Sequence, residues 1–116
     1  MACGYSQVGG IDFNQVFSPV VNDMTFRLMI TAQILWKLDS YCFDVETAFL
    51  LGVLEEEIYM QIPEGMETTG DECLKLIKTI YGLVQSARQF FKLWKQIMID
   101  LEFKPSTADP CLFFKG

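Results

Sequence analysis

Between Met24 and Leu38, apolar residues fall at Phe26, Leu28, Met29, Ile30, Ile34, Leu35 and Leu38, a spacing that predicts a helix over 25–35. Residues 40–45 are rich in aromatic and β-branched side chains and short enough to predict a strand, and 46–51 predict a tight turn or short helix closed by Gly52. Residues 57–62 alternate in polarity and stop at Pro63, giving a second strand. A polar loop follows over 64–72, and 73–77 alternate again as a third strand. The clearest amphipathic helix runs over 85–101, with Phe90, Trp94, Ile97, Met98 and Leu101 on the face expected to lie on the sheet. Pro105 follows its end, and 111–115 predict a last short strand. Residues 1–22, with Gly4, Gly9, Gly10 and Pro19, predict strand fragments and loop. Helices interleaved with antiparallel-type strands imply an α+β layer structure. No repeat, low-complexity segment or linker divides the chain, so one domain over 1–116 is expected.

Composition sharpens this picture. The chain is 51% hydrophobic and 14% aromatic, which excludes disorder and suits a piece of a larger protein whose surface is meant to be covered. No apolar run reaches the roughly 20 residues of a membrane span, and no secretory signal opens the chain. Cysteines stand singly at 3, 42, 73 and 111, and histidine is absent, so zinc and a disulfide framework have little support. Reduced thiols in an intracellular compartment, cytoplasmic or nuclear, are the expectation. Net charge is −6, but its distribution is uneven: ten acidic and no basic residues over 38–74, then seven basic and three acidic from Lys75 onward. That asymmetry fits a cation-binding face beside a backbone-binding face, and equally ordinary solvated faces. One carboxylate stands out. Asp44 interrupts the apolar run Tyr41-Cys42-Phe43-Asp44-Val45, and a buried charge there must be paired, sit at a strand end, or hold a metal.

Six stretches carry a resemblance. They are Gly4-Tyr5-Ser6-Gln7 with Gly10-Ile11-Asp12-Phe13; Phe17-Ser18-Pro19-Val20-Val21; Asp44-Val45-Glu46-Thr47-Ala48-Phe49-Leu50; Leu54-Glu55-Glu56-Glu57-Ile58-Tyr59-Met60 with Pro63-Glu64-Gly65; Ile80-Tyr81-Gly82-Leu83 with Arg88-Gln89; and Ala108-Asp109-Pro110-Cys111-Leu112-Phe113. In this order and spacing the chain resembles the reverse transcriptase of copia-type (Ty1/copia) LTR retrotransposons, an RNA-directed DNA polymerase. The resemblance implies a partial fingers/palm fold, with a fingers-like segment and helix over 1–38 and a palm/fingers segment over 39–116.

The resemblance also implies roles. Asp44 matches the first polymerase carboxylate, a magnesium ligand at the end of a palm strand, with the main-chain carbonyl of Phe43 or Val45 as a further ligand. Hard magnesium wants carboxylate oxygens, and two such ions orient the attacking and leaving groups of nucleotide transfer. Phe49 matches the bulky residue that excludes a ribose 2′-hydroxyl. Tyr81 and Gly82 match the loop near the bound nucleotide and template, and Arg88 is placed to meet a phosphate. Implied partners are the template-primer, deoxynucleotide triphosphates and the rest of a polyprotein. Plainer readings stand beside these: Asp44 as N-cap of the following turn, Phe49 as core, Arg88 as decoration of a helix start. Tyr59, Phe90 and Trp94 read as core, and Glu55-Glu56-Glu57 as a solvated turn.

Several positions depart from the pattern. Cys3, Asn22-Asp23 and Val84 stand where the family tends to have basic or Arg-Met residues, Leu51 where it has Asn, and Ala87 where it has Pro. Fewer basic positions weaken phosphate neutralisation. The Tyr-Val-Asp-Asp hairpin that carries the family's remaining catalytic aspartates is not among these 116 residues, so no polymerase activity is expected of them alone. The competing reading is a non-catalytic retrotransposon remnant or co-opted nucleic-acid- or protein-binding module. An unrelated small α+β domain requires all six matches to be coincidence.

Overall fold

The computed structural model describes residues 4–67 and 69–116. A short 3₁₀ turn, Gly4–Ser6, is followed by a loop whose only pairing is an isolated bridge between Gly9 and Phe13, so no strand forms in this region. Helix α1, Asp23–Trp36, starts where Asn22 in extended conformation accepts the Met24 amide on its side chain at 2.9 Å. It stops at Lys37, which adopts a left-handed conformation (φ 50°) while its amide and that of Leu38 return to Gln33 and Ile34 carbonyls. A second 3₁₀ turn, Ala48–Leu50, falls where a turn closed by Gly52 is expected and leads into strand β1, Val53–Gln61, which starts four residues before the predicted strand at 57–62.

Strand β1 pairs antiparallel with β2, Cys73–Lys78, setting Ile58 opposite Leu76 and Tyr59 opposite Lys75. The register slips between Val53 and Ile58, where the acidic run Glu55-Glu56-Glu57 sits; that run is strand, not a solvated turn. Helix α2, Ser86–Asp100, ends with Glu102 left-handed (φ 68°) and the Phe103 amide bonded to the Met98 carbonyl at 2.9 Å. Two residues of β3, Lys104–Pro105, then pair with β4, Phe113–Phe114, within the stretch predicted as the last strand. Two helices and two small antiparallel sheets make an α+β chain.

Three further expectations change. Residues 40–45 form no strand, because no other strand lies beside them to complete a ladder. The Phe90/Trp94 stripe of α2 meets that extended segment, with Phe43 and Trp94 ring centroids 6.1 Å apart, and Ile97 and Leu101 are exposed rather than packed on the sheet. Tyr59 is exposed too, beside Lys75, and is not core.

Among the described residues only Ile58 and Leu83 are fully buried apolar side chains, whereas Thr79, Gln85, Ser86, Gln89 and Asp109 are buried polar ones. The junctions are therefore held by hydrogen bonds. Thr79 Oγ1 donates to the Phe49 carbonyl and its amide donates to that of Gly52 at 2.9 Å, fixing the 3₁₀ turn to the end of β2. Asp109 accepts the amides of Asn22 (3.0 Å) and Cys111 (2.9 Å), and so tethers the base of α1.

Candidate functional site

Asp44 lies in the extended segment just before the Ala48–Leu50 turn, and it is exposed. The buried-charge problem its sequence context raises does not arise, because water solvates the carboxylate. It does not cap the turn either; Thr47 takes that position, left-handed at φ 52° and without a side-chain cap. Instead Asp44 lines an open cavity of about 340 Å³ with Phe43, Val45, Ala48, Phe90 and Trp94. The aromatic floor comes from α2, whose amphipathic stripe turns toward this segment.

Phe49 and Tyr81, 32 positions apart in sequence, meet with ring centroids 5.0 Å apart at an interplanar angle of 52°. Phe90 approaches the same Phe49 ring edge-on at 6.4 Å. Phe49 is thus half-buried between the 81–85 turn and α2, and its core reading and its proposed role are compatible. Gly82 sits at φ 99°, a left-handed conformation that glycine adopts without steric cost. The turn is closed by Ser86 Oγ donating to the Ile80 carbonyl at 2.7 Å.

Arg88 lies in the first turn of α2 and is half-buried. The Glu55 carboxyl is held below the usual range mainly by the hydrogen bond from Lys92 (2.6 Å), with Gln89 second. Both partners of that ion pair are well exposed, so it orders the α2–β1 junction more than it stabilises it.

Phe90 of α2 links two groupings, since it lines the cavity at Asp44 and Val45 and also meets the Phe49 ring that packs on Tyr81. A second, larger cavity of about 700 Å³ lies between Tyr5–Gln7 and strands β1 and β2, and Asp44, Val45, Phe49, Tyr81, Gly82 and Arg88 do not line it. The donor set at Asp44 is incomplete for magnesium. No second carboxylate lines its cavity, and no cluster of three metal-ligating side chains occurs among the described residues. One carboxylate and main-chain carbonyls do not hold a pair of small, strongly hydrated divalent ions.

Pattern analysis missed the polar staples Gln7, Thr79, Gln85 and Asp109. For Asp109 a signal was present, since Asp before Pro marks a turn in which the side chain bonds an amide two residues on. No helix among the described residues is long and apolar enough to cross a membrane.

Residues 1–116 match, end to end, the protein family described as reverse transcriptase (RNA-dependent DNA polymerase). The chain is 41% identical over 114 residues to the retrovirus-related Pol polyprotein from transposon TNT 1-94 of Nicotiana tabacum, covering 97% of this chain and 9% of that protein. It is 32% and 30% identical, each over 115 residues, to the corresponding polyproteins from transposons RE2 and RE1 of Arabidopsis thaliana, covering 97% of this chain and 8% of each relative. The chain thus spans less than a tenth of these relatives' length. No solved structure matches.

Proposed function

Because this chain belongs to the reverse transcriptase family of copia-type retrotransposons, we propose that it forms part of the fingers and palm of an RNA-directed DNA polymerase and carries the first carboxylate of its metal site. The observation that supports this most is the convergence of the Asp44–Phe49 segment with the Tyr81–Gly82 turn, through rings 5.0 Å apart. Two stretches matched separately in the sequence become neighbours, as a shared nucleotide site requires. In this reading Asp44 supplies one ligand to the divalent metal that the family uses, and Phe49 stands against the sugar of an incoming deoxynucleotide. The left-handed Gly82 brings main chain close to that nucleotide, and Arg88 meets a phosphate. Template-primer and deoxynucleotides are the partners, within a polyprotein.

The single carboxylate at Asp44 limits what these residues do unaided. Nucleotide transfer places one metal at the attacking hydroxyl and one at the leaving oxygen, and this donor set does not complete that arrangement, so we derive no chemical step from it. The same observation favours, as a second reading, a non-catalytic module that keeps the fold for binding. Primer extension on a homopolymer template separates the two, using the 116 residues alone and together with a polypeptide that supplies the Tyr-Val-Asp-Asp hairpin. The polymerase reading expects no extension alone, and extension on complementation that Asp44→Asn abolishes. Extension by the unaided chain that survives Asp44→Asn would overturn the site assignment.

A further inference from the structure

The N-terminal turn makes a set of contacts that neither the motif match nor the proposed chemistry uses. Gly4 is buried, and a Cβ at that position would overlap the carbonyl oxygen of Gly82. Three residues on, the Gln7 side chain spans the same turn: its Oε1 accepts the Val84 amide at 3.0 Å, and its Nε2 donates to Gln85 Oε1 at 3.1 Å. The donor on Val84 fixes which end of the Gln7 amide is oxygen, and that in turn fixes Gln85. Gln85 is fully buried, and its Nε2 has no partner among the described residues. Within the same turn, Tyr81 rests on Phe49.

We propose that Gly4 and Gln7 are positioning residues: the Gly4–Gln7 segment is a strap that sets the Tyr81–Gln85 turn, and through it the Tyr81 ring, for an incoming nucleoside triphosphate. The strap works through two atoms of one side chain and one glycine without room for a methyl. Its function, though not its geometry, rests on the reading of the Tyr81–Gly82 turn as nucleotide-facing. A glutamate at position 7 keeps the oxygen that accepts the Val84 amide. Gln85 can then rotate its amide and offer the Nε2 that now lacks a partner, so Gln7→Glu preserves the strap and Gln7→Ala removes it.

Amide hydrogen exchange on the 116-residue chain tests the strap. Gln7→Ala should speed exchange at Val84 roughly ten-fold, the effect of losing about one hydrogen bond, with the β1–β2 ladder amides unchanged. Gln7→Glu should hold Val84 within about three-fold of the parent, a window narrower than one hydrogen bond's effect. That variant decides the matter where Gln7→Ala fails to fold. Unchanged Val84 exchange in Gln7→Ala, or loss of protection in Gln7→Glu, overturns the strap. The nucleotide role is read in a longer, active polypeptide containing these residues. There Gln7→Ala should raise KM for deoxynucleotide about ten-fold, the loss falling on KM rather than kcat, and Gln7→Glu should restore it. A loss confined to kcat overturns the positioning role. If Tyr81→Ala leaves KM unchanged, the nucleotide reading of the turn fails, and the Val84 exchange result still decides the strap separately.

Discussion

At the scale of single residues, buried polar groups hold the junctions of this molecule together. Asp109 shows how. Its carboxyl is held below the usual carboxylate range first by the Asn22 amide, then by the Thr25 side chain and the Cys111 amide. The folded state therefore binds that proton more weakly than the unfolded chain does. The contribution is fully present above the unfolded carboxylate value near pH ~4 and is lost as pH falls through the lower folded value. Amide exchange at Asn22, followed on acidification, should show the base of α1 loosening below about pH 4. Asp109→Asn, which cannot accept both amides without turning an N–H toward one of them, should loosen it at neutral pH and flatten that acid limb. An Asn22 amide equally protected in both proteins across that range would show that the tether lies elsewhere. Phe49 gives the functional counterpart. In a complemented polymerase, Phe49→Ala should relax discrimination against ribonucleotides while extension with deoxynucleotides persists. Competition between the two nucleotide classes measures this. Loss of both activities together would mark Phe49 as packing alone.

At the scale of elements, much of the chain was legible because periodicity reports local geometry. Helices α1 and α2, strand β2 and the turn closed by Gly52 fall where the hydropathy pattern predicts, and β1 covers most of its expected stretch but starts four residues earlier. What the pattern missed depends on partners. Residues 40–45 have strand composition, yet a strand exists only when a neighbour accepts its hydrogen bonds. The way the helices are capped was hidden for a different reason: Lys37 and Glu102 take left-handed conformations that glycine usually supplies. The candidate site was legible as residue types but not as an assembly, since the meeting of Phe49 with Tyr81 depends on how α2 packs. Gly52 sits at a tight junction between elements. A Cβ there would lie 2.7 Å from Thr79 Oγ1 and 3.0 Å from Gln89 Cβ, between the end of β2 and the start of α2. Neither neighbour can retreat freely, as Thr79 is bonded to the Phe49 carbonyl and Gln89 is buried in a helix. Gly52→Ala should cost about 1–3 kcal/mol, the usual penalty for overpacking, read as a lower denaturation midpoint. An unchanged midpoint would show that the junction is looser than its geometry.

At the scale of the whole molecule, the apolar surface outweighs the core. The radius of gyration is 18.5 Å and the chain extends 63 × 29 × 26 Å, whereas a compact domain of this length has a radius near 13 Å. Helix α1 contributes apolar surface rather than core. It buries none of its residues, and Met24, Phe26, Leu28, Ile34, Leu35 and Trp36 are each more than half exposed. A helix apolar around its circumference is stable in water only when something covers it. With only Ile58 and Leu83 fully buried among the described apolar residues, little internal burial opposes chain entropy. The 116-residue chain in isolation should therefore self-associate, and its unfolding should be broad and dependent on concentration. Sedimentation at several concentrations, paired with thermal melts, checks both parts. Replacing Leu28 and Leu35 on α1 with glutamate should reduce the association while leaving the β1–β2 ladder intact, because α1 shares no packed core with it. A monomer with a sharp, reversible melt that ignores concentration would mean that this exposed surface finds its cover within a single chain.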